Sequence, residues 1–124
     1  MKYLLNIGKY LFPLSFLLYV GLHFGKPEVG ASFIPSWIPA PLFMNYFTGV
    51  LILLYIVSSI IGKYDKLANV LMALYVLLMI LIVHIPRAAT YENDMLNIFR
   101  NLMVIGALLI YAKYVAKDSS FVGE

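Results

Sequence analysis

The chain has 124 residues, of which 63% are hydrophobic and only 12% are charged, with a net charge of +3 and no cysteine. Because a soluble domain carries about a quarter charged residues, this composition excludes an ordinary soluble protein. The lysines are scattered singly, which is not the pattern of a nucleic-acid-binding surface, and the lack of cysteine excludes thiolate catalysis and the ligation of zinc or iron–sulfur clusters by thiolates. The composition predicts an all-α integral membrane protein.

Four apolar stretches are long enough to cross a hydrocarbon core, which takes about 20 helical residues. A backbone inside lipid must satisfy its own hydrogen bonds, so each stretch is predicted to be a helix. In the first, Lys9 can reach the headgroups, and Pro13 is expected to bend the helix. The helices are predicted at about residues 4–24, 42–61, 67–85 and 96–115, in one domain, 1–124, with outward loops at about 25–41 and 86–95.

Lysine and arginine residues in short loops predict the orientation, because they accumulate on the cytoplasmic side. Six lie at the two termini and in the hairpin "GKYDK": Lys2, Lys9, Lys63, Lys66, Lys113 and Lys117. Three lie on the other side: Lys26, Arg87 and Arg100. The prediction is an up-down bundle of four transmembrane helices with both termini in the cytoplasm. No small-residue cleavage site follows the first apolar run, so we expect a retained anchor.

Helix packing is predicted from small residues, which let transmembrane backbones approach closely. They are Gly49, Ser58, Ala73, Gly106 and Ala107. Three tyrosines near the middle of the spans are expected to point inward and to form hydrogen bonds there: Tyr19, Tyr55 and Tyr75.

The segment "SFIPSWIPAPLF", residues 32–43, lies in the first outward loop and holds the only tryptophan. Its three prolines lack an N–H and exclude a continuous helix. Two interpretations remain open. Trp37 is an interfacial anchor at the depth that tryptophan prefers, or the segment is a lid over a pocket lined by His23, His84 and Arg100.

The polar residues collect on this outward side. The candidate ligand-binding residues are His23, Trp37, His84, Arg87 and Arg100. Ionisable residues in a membrane are costly and are therefore candidates for function, although a histidine at a helix end also serves as a cap. Arg100 is expected to pair with one of three carboxylates: Glu28, Glu92 or Asp94. No metal site is predicted, and catalytic residues are not identified.

Several motifs resemble the DoxX family of small four-helix bacterial membrane proteins. They are "GLHFGKPE", "IPSWIPAP", "YFTGV", "VHIPRA" and "NLMVIGALLIYA", within about residues 15–112. The resemblance implies a place in the bacterial inner membrane, beside quinone-linked respiratory complexes or systems that handle oxidative stress. Many relatives carry an acidic residue after the Thr-Gly step, where this chain has the apolar "TGVLILLY". Carboxylate chemistry at that position is therefore not expected here.

Three functions remain open. The favoured one is a non-catalytic accessory subunit of a larger membrane complex, whose partners are the lipid bilayer and other membrane proteins or further copies of the chain. The second is a redox role with a quinone held in the outward pocket, where histidines hydrogen-bond its carbonyl groups. The third is binding or transport of a small lipophilic molecule. Haem ligation through His23 and His84 is the least favoured interpretation.

Overall fold

The computed structural model describes all residues, 1–124, and contains helices but no strands. Four helices are long and apolar enough to cross a membrane, as predicted. The first spanning helix, Lys2–Gly25, consists of α1 (Lys2–Ser15) and α2 (Leu17–Gly25). The second is α4 (Pro41–Ile61). The third, Asp65–Arg87, comprises α5 (Asp65–Met79), a π-helical turn (Ile80–His84) and α6 (Ile85–Arg87). The fourth is α7 (Glu92–Tyr114).

The two loops predicted to face outward are shorter than expected. The first contains an additional helix, α3 (Pro27–Ser32), so the prediction of a loop over about 25–41 is wrong for these residues. Pro27 stands at the start of α3, where its missing N–H costs nothing. The second loop covers only residues 88–91, because α7 already begins at Glu92. Asp94 is therefore a residue of the first helical turn and not of a loop.

A break in the first spanning helix follows from Pro13. A proline cannot donate to the carbonyl four residues earlier, which is that of Lys9. The phenol of Tyr111 in the fourth helix donates to this carbonyl oxygen at 3.3 Å, and it lies 3.3 Å from the carbonyl oxygen of Ser59 as well. The helix is interrupted at Phe16, three residues after the proline. The bend thus ties the first helix to the fourth by a hydrogen bond that lipid could not supply.

Side chains from all four spanning helices form the core. The buried cluster contains Phe16, Ile52, Tyr55, Ile56, Met72, Ala73, Val76 and Leu108. The half of the first helix beyond the break packs on the second helix and on α3, while the fourth helix packs mainly on the third. Large apolar side chains remain exposed on every spanning helix, which suits an environment of lipid.

Two of the predicted packing positions are confirmed and two predictions are wrong. A Cβ on Gly49 would lie 2.9 Å from the Phe24 ring, so the first and second helices touch there. Ala73 is buried in the core. Gly106 is exposed and has no neighbouring atom within 4 Å of such a Cβ. Tyr19 is exposed rather than inward-facing.

Candidate functional site

The C-terminal end of the third helix carries a π-helical turn directly before a proline. Pro86 removes one N–H from the helical ladder, and the Ile85 N–H donates to the carbonyl of Ile80, five residues back. A π-helical turn contains one residue more than an α-helical turn, and it often occurs at functional sites. It places His84 and Arg87 on the side of the helix that meets the fourth helix.

Asp94 is the acceptor on which these two residues converge. His84 Nδ1 donates to Asp94 Oδ1 at 2.9 Å, and Arg87 Nε donates to Asp94 Oδ2 at 3.1 Å. Asp94 is only 2% exposed and lies in the first turn of α7, where the helix dipole favours an anion. The His84–Asp94–Arg87 cluster thus joins the ends of the third and fourth helices through one shared carboxylate.

Arg87 is held in place by two aromatic rings beside its guanidinium. The Phe33 ring centroid lies 4.7 Å from its Cζ and that of Tyr91 lies 4.4 Å away, distances at which a cation attracts an aromatic face. Its Nη1 and Nη2 make no hydrogen bond within the protein. Arg87 is therefore fixed in position, with two free donor groups.

A shallow groove of about 370 Å³ lies beside these donors. It is lined by residues 32–37 and by Ile82, Val83, Pro86 and Arg87. Trp37 stands at its rim and is 71% exposed. The expected pocket of His23, His84 and Arg100 under Trp37 is not formed, because none of these three residues lines the groove. An exposed ring agrees better with the interfacial anchor than with the lid.

His23 belongs to the contact between the first and second helices. Its Nδ1 donates to the carbonyl of Tyr19 at 2.7 Å, and its own carbonyl accepts a bond of 2.8 Å from Asn45 Nδ2. Asn45 is 2% exposed, and its Oδ1 has no hydrogen-bond partner. This oxygen is aimed at Gly30 of α3, where an added Cβ would lie only 1.9 Å away. The absence of a side chain at position 30 lets α3 lie against Asn45.

The expected ion pairs of Arg100 are not formed, because Asp94 is already bound by His84 and Arg87. Glu28 and Glu92 are exposed and make no ion pair. Arg100 is exposed, and its Nη1 donates to Asn97 Oδ1 at 3.2 Å. Spacings of three and four residues place Arg100 on one side of α7 with three asparagines. We call this set the polar face of α7: Asn93, Asn97, Arg100 and Asn101.

A second polar cluster, which the sequence analysis missed, lies at the opposite end of the third helix. Asp65 is 2% exposed and accepts the backbone N–H groups of Lys117 and Asp118 at 2.8 Å each. Asn69 donates to the Asp65 carbonyl at 2.8 Å and accepts from the Tyr55 hydroxyl at 3.3 Å. An asparagine inside an otherwise apolar span was the available signal. These bonds bind the segment after α7 to the hairpin.

Asp118 adds further hydrogen bonds between the segment after α7 and the hairpin. It accepts the Tyr64 N–H at 2.8 Å and is hydrogen-bonded by the hydroxyl and the N–H of Ser120. These donors, the Ser120 hydroxyl first, hold the pKa of the Asp118 carboxyl below its ordinary value of 3.8. No group of three or more histidine, aspartate or glutamate residues is placed to hold a metal ion.

Comparisons with known proteins return no family model, no curated protein and no solved structure that matches this chain. They lend no support to the resemblance to the DoxX family, which stays an expectation from the sequence. The argument for function therefore depends on the chain's own residues.

Proposed function

We propose that the protein is a non-catalytic accessory subunit of a larger membrane complex in the bacterial inner membrane. The bundle runs up-down with both termini in the cytoplasm, as the lysine and arginine counts indicate. A single cysteine placed at Ser36, Lys63 or Ser119 tests this orientation, because the wild type has none. An impermeant thiol reagent added from outside should label position 36 alone. Labelling at 63 or 119 instead would reverse the orientation.

The main observation in support of this proposal is the polar face of α7. Arg100 lies about 6 Å inside the span predicted at about residues 96–115, at a rise of 1.5 Å per residue, so its Cα is within a hydrocarbon core of about 30 Å. An arginine at the centre of a span costs about 2.5–3.5 kcal/mol on insertion scales, and an arginine at this depth carries part of that cost. Within the chain only one amide oxygen offsets this cost. A second membrane protein packed on this face would supply further acceptors.

The packing of the bundle leaves part of this face open: Asn93 and Arg100 are exposed, and Asn97 and Asn101 are half-buried. Beyond its break the first helix packs on the second helix and on α3, and it meets the fourth helix near Tyr111. Asn97 and Asn101 keep unused hydrogen-bonding groups on the polar face. Asparagine side chains of this kind drive association of transmembrane helices, at about 1–2 kcal/mol each in model peptides. The fourth helix is therefore the side on which a partner helix would bind.

Purification from native membranes in a mild detergent tests the accessory function. The tagged wild type should elute in a stoichiometric complex with one membrane protein, identified by mass spectrometry. Asn97→Leu combined with Asn101→Leu should lose that partner, whereas Leu109→Ala on the exposed apolar surface should keep it. Elution of the wild type alone, or a partner retained by the double variant, would contradict the proposal.

The groove beside Trp37 favours a second function, the binding of a small lipophilic molecule such as a quinone. Arg87 lines the groove and has free Nη groups that could donate to a carbonyl oxygen. Because Trp37 is the only tryptophan, its fluorescence reports directly on the groove. A short-chain benzoquinone should quench it in a saturable manner. Quenching that rises linearly with quinone concentration would mean random collision and no binding.

A further inference from the structure

The charge of Arg100 has no counterpart at its own depth in the membrane. The chain has six acidic residues: Glu28, Asp65, Glu92, Asp94, Asp118 and Glu124. Two precede Arg100 in α7: Glu92, which is exposed and makes no ion pair, and Asp94, which is engaged by His84 and Arg87. The other four lie outside the spanning helices or, as with Asp65, at the opposite end of one. A neutralising carboxylate for Arg100 must therefore come from outside the chain.

The position of the guanidinium also favours a carboxylate. Its bond to Asn97 Oδ1 holds Nη1 toward the N-terminal end of α7, the direction in which helical side chains lean. An arginine has five N–H donors, so most of them stay free, and its planar fork matches the two oxygens of a carboxylate. An amide could accept a hydrogen bond from the fork, but it would leave the charge uncompensated.

A second copy of the chain does not meet this requirement. Parallel copies packed through the same face would bring two Arg100 side chains together at one depth, and no carboxylate with them. Like charges facing each other in a medium of low dielectric constant repel strongly. The occupant that fits the charge is a helix of a different protein.

We propose that Arg100 pairs with an aspartate or glutamate carboxylate in a transmembrane helix of the partner subunit. This inference rests on the proposed accessory function and adds the chemistry by which the partner is recognised. The ion pair would be excluded from water between the two helices, and Asn97 and Asn101 would hydrogen-bond beside it.

Probe helices of defined sequence test the pairing without knowledge of the natural partner. Each probe is a peptide of about 20 apolar residues with a single aspartate at the depth of Arg100, and matched probes carry asparagine or leucine there. Association is measured by energy transfer in phosphatidylcholine vesicles, with a donor dye on a cysteine introduced at Ser119. The wild type should bind the aspartate probe about tenfold more tightly than either of the others.

Variants of Arg100 separate charge from hydrogen bonding. Arg100→Gln should remove the preference for aspartate, and Arg100→Lys should keep part of it, since the charge remains without the planar fork. The matched control combines Arg100→Gln with Leu102→Arg. Leu102 is 49% exposed and, two residues from position 100, lies on nearly the opposite side of α7, so this variant keeps the net charge but should not regain the preference.

Three results would overturn the inference. They are equal binding of the aspartate and asparagine probes, self-association of the protein in place of probe binding, and loss of the aspartate preference when phosphatidylglycerol is added. The last result would mean that lipid phosphate takes the charge. If a native partner still co-purifies with Arg100→Gln, the result would support the accessory function and contradict the pairing of Arg100 with a carboxylate. Absence of any native partner would contradict the accessory function, whatever the probes show.

Discussion

Gly30→Ala tests the seating of α3 on the bundle. The added Cβ would lie 1.9 Å from Asn45 Oδ1, whereas an ordinary contact begins at 3.4 Å. The atoms must therefore separate by 1.5 Å, and Asn45 is buried with its Nδ2 committed to the His23 carbonyl. Overpacking of this kind costs about 1–3 kcal/mol, and loss of the hydrogen bond adds about 1 kcal/mol. The helical preference of alanine returns about 0.5–1 kcal/mol, so the net destabilisation should be about 1–3.5 kcal/mol.

Two measurements on the purified protein in detergent micelles follow this change. The free energy of unfolding is obtained from a denaturant titration, and the emission of Trp37 reports on the segment that α3 leads into. Gly30→Ala should lower the free energy of unfolding and shift the emission of Trp37. Gly21→Ala is the matched control, since its Cβ would have no neighbour within 4 Å, and it should be neutral or slightly stabilising.

A double variant isolates the contact itself. Gly30→Ala should cost less when combined with Asn45→Ala, because the obstructing oxygen is gone, and the two effects should be non-additive. If Gly30→Ala unfolds like the wild type with unchanged Trp37 emission, α3 is not packed on Asn45 and the reasoning fails.

Three further predictions concern the rest of the bundle. Tyr111→Phe should destabilise the protein by about 1–3 kcal/mol in a denaturant titration, because the Lys9 carbonyl freed by the proline loses its donor; an unchanged free energy would mean that this carbonyl is hydrated. Gly106→Leu should leave the melting temperature in detergent unchanged, since position 106 faces open space, and a lower value would place it in a contact. The lowered pKa of Asp118 means that its stabilising contribution is complete above pH 3.8 and is lost as the pH falls through the lower, folded-state pKa. The amide resonance of Tyr64 should shift in an NMR titration below pH 3.8, and Asp118→Asn should abolish that shift.

The His84–Asp94–Arg87 cluster shows which part of the site the sequence could predict. His84, Arg87 and Asp94 were all identified as candidates, because ionisable residues near a span are rare and costly. Their pairing was not predicted: Arg100 was expected to pair with Glu28, Glu92 or Asp94, whereas Asp94 is bound by His84 and Arg87. The choice between the two arginines depends on the π-helical turn and on where α7 begins, and the sequence analysis predicted neither.

The apolar sequence by itself determined that the chain forms four helices of membrane-spanning length. About 20 uncharged residues can satisfy their backbone hydrogen bonds in lipid only as a helix, so hydropathy and length suffice. Pro13 also predicted a bend in the first helix, because the missing N–H of a proline is known from the sequence alone.

The tertiary structure alone decided how the polar groups are used. It showed that Tyr111 supplies the donor that Pro13 removed, that Gly30 makes room for Asn45, and that Asp65 holds the segment after α7. Each of these contacts joins residues far apart in the chain, so its existence depends on rotation and approach of whole helices. The pattern of apolar residues constrains the rotation and approach of these helices only weakly, because lipid is as apolar as the core.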